Sequence, residues 1–270
     1  MITFVTCWYR LKAKFPKEIY KTWINNLLSN VKNFNLVIFT DTDSIQDIEE
    51  FLKNNPQIVV VQKPMKEFHC YKYKAQWKEN HNNNTQLNGS SRWGVDWELN
   101  MLWSEKIHFV REVIDNKYFN SKWYGWCDIG YFRGRLQQDL PVNQIQNWPK
   151  VGKEDELKEE KIYYNVVGTN EQMRCAMQCV MNSNEKTLPS PQFPPQQVTI
   201  SGGFFVIHQE NIGWWWTTYY SRLELYFNNN YLVKDDQIIV TDCLLRDMNR
   251  FCLIKGQIGD PWFAFSHYLL

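Results

Sequence analysis

Two acidic positions far apart in the chain carry most of the chemistry that this sequence offers. Asp128 closes the aromatic-rich run Trp123-Tyr124-Gly125-Trp126-Cys127-Asp128-Ile129-Gly130-Tyr131-Phe132-Arg133. Such a run reads as a buried strand. An acid at the carboxyl end of a strand in an open α/β sheet faces the ligand side rather than the core. Gly130, two places on, lets the backbone approach whatever the acid holds, or take φ > 0. A hard divalent ion carrying phosphate oxygens suits a lone carboxylate there, because Mg²⁺ and Mn²⁺ take oxygen ligands and few protein carboxylates. The plainer reading is a strand whose last residue caps a turn.

The second position is Asp235-Asp236-Gln237, at a predicted helix start. Acids are favoured at the positive end of a helix, and one of the pair can serve as its cap. The other acid and the amide are then left over for a ligand. Ser201-Gly202-Gly203 interrupts a strand, where glycine marks either a bulge or a close approach. Lys106, on a helix just ahead of the central strand, can neutralise a diphosphate or touch a sugar; a solvated helix lysine is the alternative. Arg133 and Lys234 are weaker cations for the same task. Thr6, Trp8 and Tyr9 lie at the end of the first strand, where an aromatic ring either stacks on a nucleotide base or fills the core. Trp214-Trp215-Trp216 fall on a helix whose successive residues point about 100° apart. Three indoles in a row cannot all face one core, so an exposed one, with Trp215 the candidate, would be a platform for an acceptor sugar.

These residues need a frame, and the apolar pattern supplies one. Strands are predicted over 2–7, 35–40, 58–62, 122–128, 162–168, 198–208 (broken at Gly202-Gly203) and 251–254. Helical spacing covers 19–31, 44–53, 95–114, 171–181, 212–227 and 235–248. Loops are read at 80–93, around Pro141 and Pro149, and at the prolines 189, 191, 194 and 195. Alternation of this kind points to an α/β fold, a Rossmann-type, mostly parallel sheet flanked by helices, in a single domain over 1–270.

Composition narrows the partners. The chain is 44% hydrophobic and 22% charged, as a globular protein is. A net charge of +1 sets aside a broad nucleic-acid footprint and leaves room for a small anion held by a few local cations. With 13 Trp the core is well supplied, and the surplus suits sugar-ring platforms. Seven Cys without a C-x-x-C spacing read as free thiols in a reducing compartment. No signal peptide or transmembrane segment is read, so the expected location is the cytoplasm, at most peripheral to a membrane.

Taken in order, the first strand, Trp103-Ser104-Glu105-Lys106, W-C-D-I-G-Y-F-R, S-G-G-F-F and D-D-Q resemble a GT-A glycosyltransferase, and most of all the HtrL/YibB-type glycosyltransferase-like proteins. The resemblance spans residues 1 to about 245, and only the order and combination of its short motifs are specific. It implies a UDP- or GDP-sugar donor, Mn²⁺ or Mg²⁺ and transfer to a hydroxyl of a glycan or glycolipid. By that likeness Asp128 and Gly130 stand where a D-x-D motif holds metal and diphosphate, with the second acid replaced by Gly130. His267 is similarly placed to a C-terminal metal ligand; a packing role is the alternative. Asp236 would bind donor hydroxyls, with Gln237 near the anomeric carbon. A carboxylate such as Asp235 would instead take the acceptor proton if the outcome is inverting, and retaining and inverting chemistry both stay open.

Two other readings use the same residues differently. A fold that has lost its second acid could bind nucleotide or carbohydrate without turnover. Asp41-Thr42-Asp43, a literal D-x-D after the second strand, resembles the start of haloacid-dehalogenase phosphatases, although Ser44 and Ile45 depart from that motif and a cap for the following helix is the stronger account.

Overall fold

The computed structural model describes residues 1–12, 14–52, 54–89, 94–134, 142–256 and 258–270, with 142–144 by their backbone alone. Pro141 and the end of the predicted 80–93 loop, residues 90–93, lie outside the described residues.

Seven strands form one sheet: β1 (Thr3–Trp8), β2 (Asn35–Thr40), β3 (Ile58–Gln62), β4 (Trp123–Cys127), β5 (Ile162–Val166), β6 (Phe204–His208) and β7 (Phe251–Lys255). Their order is β3-β2-β1-β4-β6-β5-β7. Neighbours pair in parallel except β6, which runs antiparallel to both β4 and β5. Both faces are covered by helices, as parallel strands require. These are α1 (Lys17–Leu28), α2 (Glu49–Leu52), α3 (Lys74–Asn83), α4 (Trp97–Asp115), α5 (Asn170–Met181), α6 (Ile212–Asn228), α7 (Asp236–Arg246) and α8 (Ala264–Tyr268). The expected α/β class, with a mostly parallel, helix-flanked sheet, is what the structure has.

Alternating side chains of each central strand feed two cores. Val5, Tyr124, Trp126 and Phe205 face the layer of α4, α6 and α7. Phe4, Trp123, Phe204 and Val206 face the opposite layer, with Phe34, Trp148 and Phe265. Phe204 stands at the centre of that second core, its ring 4.6 Å from Phe265 and 5.1 Å from Phe4 between centroids. Truncating a ring so enclosed costs on the order of 3–5 kcal/mol.

Three elements differ from the sequence expectation. The 198–208 strand begins only at Phe204; before it, Ile200 makes a lone bridge to Val166, because Ser201–Gly203 turns away to meet the sheet end. The 44–53 helix divides into a 3-10 turn at Ile45–Asp47 and the short α2. The predicted 80–93 loop starts later, since α3 runs to Asn83. That helix is mostly polar and is anchored by buried Trp77 and Asn80, so its apolar spacing is too sparse to read.

Sheet direction decides what meets at the site. β4 runs parallel to β1 and ends at Cys127, while β6 begins directly opposite, Cys127 pairing with Phe204. The loop entering β6 therefore lies against the residue leaving β4.

Candidate active site

Asp128 is fixed by its backbone. Its N–H donates to the Gly203 carbonyl at 2.8 Å, and its own carbonyl accepts from the Tyr131 N–H at 2.8 Å. Of its side chain, Oδ1 accepts from Trp126 Nε1 at 2.6 Å. The Oδ2 atom accepts no hydrogen bond among the described residues, and the side chain is 37% exposed.

Lys106 joins this acid to the other. It rises from the middle of α4, a helix long enough to keep it away from fraying ends, and its side chain is 7% exposed. The ammonium lies 3.3 Å from Asp128 Oδ1 and 3.3 Å from Asp236 Oδ2, and donates to the Gly202 carbonyl at 2.8 Å. Burial by itself would lower the pKa of this lysine; Asp128 and Asp236 together outweigh it, and the net shift is upward. The ammonium keeps its charge.

Asp236, the first residue of α7, is buried, and burial is the main cause that pushes its pKa up to about 7. Asp235 and Asp128 push the same way, and Lys106 opposes them. Neither acid caps the helix: Asp235 occupies the cap position with no side-chain bond to the first turn. Asp235 Oδ2 instead lies 3.3 Å from Lys234 Nζ, which also donates to the Gln197 carbonyl at 2.7 Å. Asp235 Oδ1 is buried without a hydrogen-bond partner. Leaving such an acceptor unpaired costs about 1–3 kcal/mol, an expense that a ligand donor would remove.

The glycines between these acids have a specific task. A Cβ on Gly202 would sit 2.8 and 2.9 Å from the Asp236 carboxylate oxygens, and one on Gly203 would sit 3.2 Å from Asp128 Oδ2. The close approach expected of a ligand is made by the two acids themselves. Ser201 completes the turn, its Oγ accepting from the Gly203 N–H at 3.3 Å and donating to the Trp262 carbonyl at 3.3 Å.

These groups line one cavity of about 490 Å³, together with Gln237, Arg133 and Lys234. Arg133 lies over the rings of Phe263, at 4.9 Å, and Trp23, at 5.1 Å. Lys14, Phe15, Tyr20 and Trp262 also line the cavity and escaped the sequence reading. They come from the segment before α1, from α1 itself and from the turn before α8, where no motif or spacing singles them out. Lys14 lies 4.9 Å above the Trp103 ring, and burial lowers its pKa.

Several predicted residues sit elsewhere. Thr6 is fully buried in β1 with its hydroxyl unpartnered. Trp8 donates its indole N–H to Asp47 at 3.1 Å, and the Tyr9 hydroxyl donates to the Lys63 carbonyl at 2.8 Å. Both rings are enclosed and offer no face to a base, so the core alternative holds for them. Trp215 is likewise corrected: it is fully buried, its indole donating to the Tyr164 hydroxyl at 3.3 Å, and an enclosed ring cannot carry a sugar. Gly130 makes room for Trp23, whose Cε3 would lie 2.9 Å from an added Cβ, and not for a ligand. His267 is half-buried on α8, outside the cavity lining, with Nε2 buried and unpartnered. Asp41 Oδ1 accepts from the Ser44 N–H at 2.8 Å, so this D-x-D closes a turn away from the cavity.

Among the described residues, no three His, Cys, Asp or Glu side chains cluster as a ready-made metal site. Mg²⁺ and Mn²⁺ do not need one when they arrive with a diphosphate, since one or two carboxylates then suffice. Asp128, 37% exposed on the cavity lining and with no hydrogen bond to Oδ2 among the described residues, fits that requirement.

No family model and no curated protein matches the chain. The crystal structure of mouse xyloside xylosyltransferase 1 in its apo form is similar to it, with a TM-score of 0.49 and 10% sequence identity, over 94% of this chain and 86% of that one. No described helix is long and apolar enough to cross a membrane.

Proposed function

We propose that the chain is a glycosyltransferase that moves a sugar from a nucleoside-diphosphate sugar to a hydroxyl of a glycan or glycolipid. The observation that carries the reading is the meeting of Asp128 and Asp236 at one buried ammonium, inside a single cavity that also holds Ser201–Gly203 and Gln237. Lys106, Asp128, Ser201–Gly203 and Asp235–Gln237, part of what resembles GT-A enzymes of the HtrL/YibB type, line that cavity and support the reading; the first-strand residues and Gly130 do not.

Lys106, Lys14, Arg133 and Lys234 ring the cavity with positive charge suited to a diphosphate. Mn²⁺ or Mg²⁺, held at Asp128 and by the donor's phosphates, would screen the departing diphosphate. Asp236 and Gln237 line the same wall, where a carboxylate and a carbonyl dipole stabilise the positive charge that develops on the sugar. Asp235, on the same lining, would accept the proton of an incoming hydroxyl if the outcome is inverting.

A thermal-shift series with UDP, GDP and their sugars, with and without Mn²⁺, tests this. The expected result is a rise in melting temperature with one nucleotide, its metal-dependent part lost in Asp128→Ala. No shift with any nucleotide sinks the proposal. The absent second acid, with Gly130 packed on Trp23, favours one other reading, a binder without turnover. That protein would show the shift yet release no nucleoside diphosphate from any donor.

A further inference from the structure

Resting on the reading above, we infer that the acceptor is a neutral oligosaccharide lying along a polar trough that leaves the cavity over Pro195. A second cavity, of about 320 Å³, shares Pro195 with the reactive one. A third shares Tyr231 with the second. Pro195 lines both the reactive cavity and the second, so a chain whose terminal hydroxyl enters the first can extend over Pro195 into the second.

The walls of the second cavity define the chemistry. Gln76 and Asn83 come from α3, Gln192 from the proline-rich loop, and Asn230 from the turn after α6. An amide both donates and accepts, as does a sugar hydroxyl, and it carries no charge. Among the described residues, Glu79 is the only ionisable acid or base on that lining apart from the Tyr231 phenol. A polyanion would find no cation on that lining, and in the third cavity Lys186 stands beside an acid, Glu185. Tyr231, half-buried between the second and third cavities, supplies a ring on which a pyranose can lie.

The trough is built rather than incidental. Asn80 donates to the Val233 carbonyl at 2.9 Å and accepts from the Val233 N–H at 2.8 Å. Gln192 Oε1 accepts from the Leu232 N–H at 3.1 Å, which leaves its NH₂ group for a ligand. The Tyr231 hydroxyl donates to the Pro189 carbonyl at 3.1 Å. Val233 directly precedes Lys234 and Asp235, so the trough wall and the proton acceptor are set by one short segment. Held this way, the groups lose little freedom on binding, which favours affinity.

The test probes the full chain on an array of immobilised neutral, sialylated and sulfated oligosaccharides, and measures UDP and GDP thermal shifts in parallel. Wild type should retain neutral oligosaccharides. Tyr231→Ala, and Gln76→Trp, which fills the trough from a half-exposed helix position, should each weaken that binding about tenfold or more while keeping the wild-type nucleotide shift. Should Tyr231→Ala fail to fold, Gln76→Trp decides. Retention of no oligosaccharide, of acidic ones alone, or equal binding by the variants overturns the trough. Loss of the nucleotide shift with oligosaccharide binding intact counts against the transferase reading and leaves the trough standing.

Discussion

Lys106 Nζ lies 3.3 Å from Asp236 Oδ2, although more than a hundred residues separate the two in the chain. The pair is buried, and removing one member leaves an uncompensated charge that typically costs about 3–5 kcal/mol. Lys106→Met should therefore lower the urea midpoint strongly. Lys106→Met/Asp236→Asn should recover part of the loss, because the second change removes the stranded carboxylate. Purely additive destabilisation in the double variant would show that the pair is not coupled. Sugar transfer should be lost in both.

The upward shift of Asp236 sets a pH limit on activity. Its folded pKa is about 7 and its ordinary one 3.8, so the native state binds the proton more tightly. As pH falls through 7, the carboxylate that would support a cationic sugar is neutralised, and kcat/KM should fall with an apparent midpoint near 7. Stability moves the opposite way: this group's contribution grows as pH drops below 7 and is fully present below 3.8. A pH-rate profile flat from 8 down to 5 would remove Asp236 from the reacting centre.

Gly202 and Gly203 separate two effects in one turn. Gly202→Ala places a methyl 2.8 Å from Asp236 Oδ2, so the acid must swing away from Lys106. Gly203→Ala meets Asp128 Oδ2 at 3.2 Å, a contact that the partly exposed carboxylate can relieve. Gly202→Ala should lower kcat by about a hundredfold, the scale of losing one preorganised electrostatic group. Gly203→Ala should act mainly on metal-dependent nucleotide binding. Equal kinetic effects from both would show that the turn acts only as a spacer.

Away from the site, His69 and His108 stack with ring centroids 4.9 Å apart and planes 21° from parallel. Burial is the main cause lowering them to about 4 and about 3, and neighbouring cations add to it. The unfolded chain takes up these protons first, so the pair's stabilisation is present above pH 6.5 and fades as pH falls toward 4. Glu105, raised by burial to about 7, tilts the other way between 7 and 4.5. The informative quantity is therefore a difference between proteins. His108→Gln keeps an acceptor for the Trp216 indole N–H, and its stability relative to wild type should improve as pH drops from 6.5 to 4. A difference that stays constant with pH would contradict the shift.

Much of the frame was legible because it rests on local patterns. The runs at 35–40 and 58–62 coincide with β2 and β3, and the spacing over 95–114 nearly matches α4, since strand and helix periods are written directly in apolar positions. Asp128, Lys106, Ser201–Gly203 and Asp235–Gln237 were likewise visible as motifs that local structure only half explains. The sequence could not say which aromatic residues face a ligand. Trp8, Tyr9 and Trp215 have the right chemistry for stacking, but their sides of β1 and α6 are set by what packs above them.

Only the tertiary structure decided who meets whom. The antiparallel entry of β6 brings Gly203 against Asp128, and the start of α7 brings Asp236 to the same ammonium. Lys14, Phe15 and Tyr20 join the cavity through packing of the segment around α1. Contacts of this kind depend on strand direction and layer order across a hundred residues. A one-dimensional pattern records which residues are apolar or charged and how they are spaced, but not the fold-wide geometry that makes them neighbours.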